Sequence, residues 1–168
     1  SICNNEKREP NEAELNKIWN GCSELLWLDP ISEHYEKTGG KVLAIMGSHH
    51  AFTQYKEPSW EAQEGKVVFT GFKIKRFGNY LLEKFQDKVF SICFHDPWVD
   101  KYESTKLVQP ANGVIEKVIS PHYSEIGFDL NNSPWGELPD YSVYSLGYED
   151  FKLKHFFDGY LYTGKLTT

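Results

Sequence analysis

Two histidine-bearing segments hold the residues of this sequence best suited to proton transfer or metal binding. His49 and His50 are adjacent, and His95 is followed directly by Asp96. Imidazole and carboxylate groups bind zinc or iron, and imidazole is the commonest general base near neutral pH. Adjacent histidines on an extended segment point to opposite sides, so we expect only one of the pair to reach a shared ion. No established metal-binding spacing is present. The four residues are therefore candidate metal ligands without a motif, and we expect no cofactor.

Other chemically active groups have weaker patterns. Cys93 and His95 would share one face of a strand and could form a nucleophile–base pair. However, Cys93 has no neighbouring feature that would lower its pKa. Cys22 could act as a nucleophile with a distant histidine, but it belongs to an apolar stripe that core packing explains. Three carboxylates could form an acid–base set as in sugar hydrolysis, although nothing fixes their separation: Glu125, Asp129 and Glu137.

Aromatic residues are the most unusual feature of the composition, at 15% of the chain. Exposed Trp and Tyr favour recognition, because they give a large rigid contact area with a polar group attached. The competing interpretation is that they close the ends of a β-sandwich or barrel, since large aromatic side chains are mostly buried. The candidate binding residues are Trp60, Trp98, Trp135, Tyr141 and Tyr144.

The length and charge limit the classes of protein to consider. At 168 residues the chain is most simply one domain, which we place at residues 11–168 after a flexible arm at 1–10. The net charge of −6 disfavours a nucleic-acid partner, because phosphate binding depends on clustered Lys and Arg. An acidic body suits a basic protein partner, or solubility alone.

The sequence leaves the compartment open. No apolar run approaches the roughly 18 residues of a membrane span, so we expect no membrane-spanning segment. Cys3 could form a disulfide only in an oxidising compartment, but the sequence does not indicate whether such a disulfide forms. A secreted or periplasmic location and a cytoplasmic one are therefore both compatible with the sequence.

The best local patterns lie near the two ends of the chain. Asn11 followed by Glu14 is a capping-box pattern, and it predicts a helix with an apolar stripe that reaches Leu25 and Leu26. Asp29-Pro30 predicts the start of a second helix. Near the carboxyl terminus, Asp158-Gly159 predicts a type I′ turn inside a hairpin over residues 151–166. One face of that hairpin would be apolar and would have to be covered.

Between these ends the sequence predicts mainly strands. A buried strand is expected at residues 42–46, a long connection at 47–65, and either a strand or a helical turn at 80–85. Further strands are predicted at 66–75, 89–94, 114–120, 123–130 and 141–148. The predicted fold is α+β, with an N-terminal amphipathic helix packed on a curled or closed antiparallel sheet of about eight strands and no parallel crossovers.

Three functions remain compatible with these patterns. The first, which we favour from sequence, is a non-enzymatic binding protein, either an acidic inhibitor or immunity-type protein or a secreted recognition domain. It would contact a protein partner through the loop aromatics and acidic groups. The second is a small hydrolase, with or without a metal, that uses His49 or His50 with His95 and Asp96. The third is a β-barrel carrier of a small apolar ligand. The oligomeric state is not indicated.

Overall fold

The structure is a computed structural model that describes residue 11 and residues 23–164. Within this part of the chain, three α-helices alternate with seven short strands and several 3₁₀ turns. The helices are α1 (Ser23–Thr38), α2 (Phe77–Phe85) and α3 (Val114–Ile119). The strands are β1 (Pro58–Gln63), β2 (Lys66–Phe72), β3 (Ile92–Phe94), β4 (Trp98–Val99), β5 (Leu107–Val108), β6 (Ile126–Asp129) and β7 (Gly159–Tyr162).

The strands form three small sheets, so the α+β class is confirmed and the single curled or closed sheet of about eight strands is wrong. Strands β1 and β2 form an antiparallel hairpin, β4 pairs with β5, and the third sheet has the order β3-β7-β6. In that sheet β7 runs antiparallel to β6 but parallel to β3, which corrects the expectation of no parallel pairing. Within the described part of the chain no sheet closes, because 3₁₀ turns and prolines interrupt the segments that a barrel would need.

The predicted C-terminal hairpin does not form. Residues Leu153–His155 make a 3₁₀ turn, and Gly159 begins β7 instead of occupying a turn. Asp158 has a different role, since its carboxylate accepts hydrogen bonds from the backbone and hydroxyl of Ser91. The positive φ angles of a type I′ turn occur instead at Glu64 and Gly65, between β1 and β2. Lys165 and Leu166, which the hairpin included, lie outside the described residues.

Most apolar residues of this C-terminal segment are buried, as the sequence predicts. Five of the residues assigned to the apolar face are buried: Phe151, Leu153, Phe157, Tyr160 and Tyr162. Phe156, assigned to the other face, is buried as well, while His155 is exposed. The segment is therefore central to the core, although it reaches the core through a 3₁₀ turn and one strand.

Only the end of the predicted N-terminal helix falls within the described residues. Residues 12–22 of the predicted helix lie outside the described residues. Helix α1 continues through Pro30, so the second helix start is wrong. Leu25 and Leu26 are 43% and 55% exposed, whereas Glu24, which the apolar stripe placed on a polar side, is 1% exposed. Glu24 is buried because it meets charged and hydrogen-bonding partners from two other segments.

Several strand predictions between the ends also need correction. Residues 42–46 are not a buried strand, since Leu43 and Ile45 are each 84% exposed. The segment 114–120 contains the helix α3 and no strand, and residues 141–148 contain the 3₁₀ turn Val143–Ser145. Residues 80–85 are helical, and β1 lies within the predicted long connection at 47–65. The alternation at 89–94 is present, but its apolar side faces outward.

An aromatic core joins these elements. Phe52, Tyr144 and Phe156 contact one another, and the ring of Trp98 packs edge-on against both Tyr144 and Phe156. Gly78 in α2 allows close packing beside this core, because a Cβ there would lie 2.5 Å from the Phe52 carbonyl oxygen. The start of α2 is thereby held against the segment that carries the adjacent histidines. No helix within the described residues is long and apolar enough to cross a membrane.

Candidate acid–base site

The adjacent histidines lie on a 3₁₀ turn, Ser48–His50, and not on an extended segment. Each ring uses its Nδ1 atom to contact a glutamate: His49 lies 2.6 Å from Glu57 Oε1, and His50 lies 2.7 Å from Glu24 Oε1. The side chains of Glu57 and Glu24 are 3% and 1% exposed, whereas those of His49 and His50 are 49% and 31% exposed. Two buried carboxylates therefore hold two solvent-accessible imidazoles.

Arg76 connects the two histidine–glutamate pairs. Its Nε and Nη2 atoms lie 2.8 and 2.7 Å from Glu57 Oε2, and its Nη1 atom lies 3.4 Å from Glu24 Oε1. We call Glu24, His49, His50, Glu57 and Arg76 the histidine–glutamate cluster. The guanidinium group is itself largely buried, so the cluster is one connected unit.

Both carboxylates have further donors. Burial by itself would raise the pKa of Glu57, but hydrogen bonds from His49, Lys73 and Arg76 outweigh burial and lower that pKa to about 2. Lys73 Nζ lies 2.8 Å from Glu57 Oε1. Glu24 Oε2 accepts the backbone N–H of Phe77 at 2.8 Å. Each carboxylate is therefore fixed through both of its oxygens.

Local backbone structure explains why these side chains meet. Arg76 is the N-cap of α2, and its N–H donates to the Asn79 side-chain oxygen at 2.7 Å. The Asn79 amide nitrogen donates to the carbonyl oxygens of Thr53 and Tyr55 at 2.9 and 3.0 Å. Asn79 thus ties the start of α2 to the chain just before Glu57. The backbone N–H of Lys73 donates to the Glu57 carbonyl at 2.8 Å, which places Lys73 beside the same carboxylate.

The second ring nitrogens of the two histidines differ. The Nε2 atom of His49 lies 3.2 Å from the Tyr144 hydroxyl. Burial raises the pKa of Tyr144 above its ordinary value, so the phenol stays protonated and donates to His49. No described residue hydrogen-bonds to His50 Nε2. The Trp27 ring packs edge-on against His50, with ring centroids 5.0 Å apart.

This arrangement is suited to proton transfer at His50. A carboxylate accepts the Nδ1–H, which leaves the lone pair on Nε2 and fixes the orientation of the ring. An imidazole held in this way can remove a proton from water or a hydroxyl group and later return it. His49 has the same orientation from Glu57, but Tyr144 already occupies its Nε2 atom.

His95 and Asp96 do not join this cluster. His95 is buried, and its Nδ1 atom lies 2.6 Å from the Tyr160 hydroxyl. Among residue 11 and residues 23–164, no three His, Cys, Asp or Glu side chains are grouped to hold a metal ion. His95 and Asp96 are therefore not grouped with His49 and His50 in the described structure. Burial also raises the pKa of Cys93, which disfavours a thiolate beside His95.

The five candidate aromatic residues have different surroundings. Trp98 lies on β4 and Tyr144 on a 3₁₀ turn, and both are buried. Trp60 lies on β1 and is half-buried. Trp135 is half-buried against Phe128, with ring centroids 5.2 Å apart. Tyr141 is 43% exposed. A binding role for these residues stays a prediction.

Sequence reasoning missed four residues of the site or its border: Glu24, Glu57, Lys73 and Arg76. Glu24 lies 26 residues before His50 and 52 before Arg76, so no local spacing connects them. The adjacent histidines were the only signal, and the assumption of an extended segment hid their common surroundings. Comparison with protein-family models, with curated proteins and with solved structures finds no match to this chain, so its function is argued from the geometry alone.

Proposed function

We propose that the chain is a hydrolase-type enzyme in which His50 is the general base. The observation that supports this function is the pair of solvent-accessible imidazoles bound through Nδ1 to buried carboxylates that Arg76 connects. Charged groups are rarely buried unless they are paired, and such pairs often contribute little net stability. Perturbed, buried ionisable groups cluster at functional sites, and the lowered pKa of Glu57 belongs to this class.

The proposed reaction is the hydrolysis of an ester by water. The oxygen of a water molecule attacks the carbonyl carbon while His50 Nε2 takes a proton from that water. Glu24 stabilises the imidazolium that forms. The bond from carbon to the leaving oxygen then breaks, and the leaving group takes the proton from His50 Nε2. His49, held by Glu57, accepts the Tyr144 hydrogen bond and fixes the second half of the cluster.

Replacing His50 by asparagine should lower the hydrolysis of p-nitrophenyl acetate by about 100-fold relative to the unchanged protein, the usual contribution of a general base. The release of p-nitrophenolate measures the rate. His34→Asn is the matched control, because His34 is an exposed histidine in α1 and free imidazole also attacks this ester. Equal rates for His50→Asn and His34→Asn, with both proteins folded, would exclude His50 as the base.

A second candidate is the non-enzymatic protein-binding function, and one surface favours it. Phe90, two residues before β3, and Ile92 and Phe94 within β3 form an apolar row and are 60%, 49% and 57% exposed. Apolar rows of this kind are typical of contact surfaces. The net charge of −6 would favour a basic partner, of the kind that an acidic inhibitor or immunity-type protein or a secreted recognition domain contacts. Tyr141 and the half-buried Trp60 and Trp135 remain candidate contact residues.

The binding candidate predicts that Phe90→Ser combined with Phe94→Ser weakens capture of a partner from the native source by about tenfold or more. Ile74→Ser is the control, because Ile74 is also exposed but lies beyond β2. Raising the salt concentration should weaken the same complex. If the double variant retains the partner as well as Ile74→Ser does, this surface is not the contact site.

A further inference from the structure

An exposed apolar segment between α1 and the adjacent histidines pairs with no strand. Lys41 is followed by five apolar residues, 42–46, of which Leu43 and Ile45 are each 84% exposed. The segment contains no helix, turn or bend, and none of its backbone groups has a hydrogen bond within the part of the chain that the structure describes. It therefore has the composition of a β-strand but lacks a neighbouring strand.

Both ends of this segment are fixed within its own molecule. The N–H of Gly39 donates to the Tyr35 carbonyl at 2.8 Å, at the end of α1. On the other side, the N–H of His50 donates to the Gly47 carbonyl at 2.9 Å. The segment is thus held at both ends while its apolar side chains face solvent, so it is available to a second molecule.

Strand β3 has the complementary deficiency, because it is the edge of the sheet β3-β7-β6. The backbone groups of Ser91 and His95 hydrogen-bond to the chain at β7. Since the direction of these groups alternates along a strand, those of Ile92 and Phe94 point away from β7, to the free edge. Among the described residues, the only hydrogen bond formed there is from the Cys93 thiol to the Phe94 carbonyl. An unpaired edge of this kind accepts a further strand.

The apolar side chains of the two segments match in an antiparallel pair that places Leu43 opposite Phe94. Ile45 then lies opposite Ile92, because the two chains run in opposite directions. In this register the outward backbone groups of β3 face the segment, so each of the two residue pairs exchanges two hydrogen bonds. The four side chains lie on one face, where Ile92 and Phe94 are exposed in the single molecule.

The charges at the end of the segment select the same register. Lys41 would lie opposite Asp96, and both residues are exposed. Neither belongs to an ion pair among the described residues. A parallel pair with the same apolar contacts would put Lys41 beside Phe90 and Asp96 beside Gly47. Opposite charges therefore favour the antiparallel direction.

We propose that residues 42–46 of one molecule add to β3 of a second copy as an antiparallel strand at the edge of its sheet. The second copy is the occupant because the chain itself carries a strand of matching length, apolar character and end charge. The pairing does not depend on the proposed hydrolase function, since it shares no residue with the histidine–glutamate cluster. It shares β3 with the second candidate function, and variants of residues 42–46 separate the two because they leave β3 unchanged.

Two proline substitutions test the pairing, with self-association measured by analytical ultracentrifugation. Ile45→Pro removes an N–H from the donated segment, and Ile92→Pro removes an outward N–H from β3. Proline is tolerated on an edge strand where the N–H faces solvent, so both variants should fold, which circular dichroism checks. We expect the unchanged protein to associate with itself, and each variant to weaken that association by about tenfold or more.

A side-chain variant covers the case in which a proline variant does not fold. Leu43→Ser changes only a side chain that is 84% exposed, and it should also weaken self-association. Leu107→Ser is the matched control, because Leu107 is an exposed leucine on β5 and should leave self-association unchanged. Equal association of the two serine variants would count against residues 42–46 as the donated strand and would overturn the proposal.

Mixing the two proline variants tests which segments pair. The Ile45→Pro protein keeps an intact β3, and the Ile92→Pro protein keeps an intact donated segment. An equimolar mixture should therefore form a one-to-one complex, although neither variant associates by itself. A mixture that stays monomeric would overturn the proposal, as would association retained in Ile92→Pro but lost in Ile45→Pro, because the segment would then pair with its own copy. An unchanged protein that is monomeric at its highest soluble concentration would also overturn it and leave β3 to a different protein.

Discussion

Replacing Arg76 by methionine should lower the free energy of unfolding by about 3–5 kcal/mol, the usual cost of removing one partner from a buried ion pair. Arg76 contacts both Glu24 and Glu57, and each carboxylate is almost fully buried. Methionine keeps much of the side-chain volume but removes the charge, so the carboxylates would lose the group that connects them. Urea unfolding at pH 7 measures the change.

Two further variants separate this effect from a general loss of packing. Lys84→Met removes a cation from an exposed pair with Glu36 and should cost less than about 1 kcal/mol. The loss of unfolding free energy from Arg76→Met should be smaller in a Glu57→Gln background than in the unchanged protein, because one of the two buried carboxylates left without Arg76 is then uncharged. If Arg76→Met costs no more than Lys84→Met, the cluster does not contribute as a buried charged unit.

Acidification should destabilise the protein through Glu57. Its folded pKa is about 2, lowered from 4.5 by His49, Lys73 and Arg76 against the effect of burial. A carboxylate whose folded pKa is lowered stabilises the fold above its unfolded pKa. That stabilisation disappears as the pH falls from about 4.5 to about 2, and it amounts to about 3 kcal/mol at neutral pH. Urea unfolding over this pH range should show the loss, and Glu57→Gln should flatten it.

Glu137 provides a matched comparison for this pH effect. Its pKa is also lowered to about 2, by hydrogen bonds from Lys152 and Lys154, but the pair is exposed to solvent. Water and salt screen exposed pairs, so Glu137→Gln should leave the acid dependence of stability nearly unchanged. Equal flattening by Glu57→Gln and Glu137→Gln would show that burial of Glu57 adds nothing.

The proposed hydrolysis and the stability predictions test different properties of one cluster. Arg76→Met and Glu57→Gln test whether its charges are buried and paired, and His50→Asn tests whether the solvent-accessible ring of His50 transfers protons. A large cost for Arg76→Met with full activity in His50→Asn would indicate a structural ion-pair cluster. In that case the binding function, with the Phe90, Ile92 and Phe94 row, would be the better-supported candidate.

Some features could be predicted because neighbouring residues decide them. The strand at 66–75 is an example: β2 forms there because alternating β-formers lie beside a turn. The alternation at 89–94 was also visible, but not the side that packs inward. The buried side carries Ser91, Cys93 and His95. Asp158, directly before β7, accepts hydrogen bonds from Ser91, and Tyr160 within β7 hydrogen-bonds to His95. No local pattern contains that information.

The Asp158-Gly159 prediction failed for a related reason. Asp-Gly favours a tight turn when nothing else competes for the aspartate. Here the Asp158 carboxylate accepts two hydrogen bonds from Ser91 and one from Asn131. These contacts extend the chain into β7 beside β3. The turn geometry appears instead at Glu64-Gly65, where the flanking residues pair with each other without competition.

By itself, the sequence determined the α+β composition, the burial of the aromatic C-terminal segment and the presence of two adjacent histidines. These follow from local propensity, hydrophobicity and residue identity. The tertiary structure alone decided that both histidines contact buried glutamates and that Arg76 connects those glutamates. The physical reason is that a carboxylate stays charged away from water only where distant segments supply donors, and spacing along the chain does not record which segments those are.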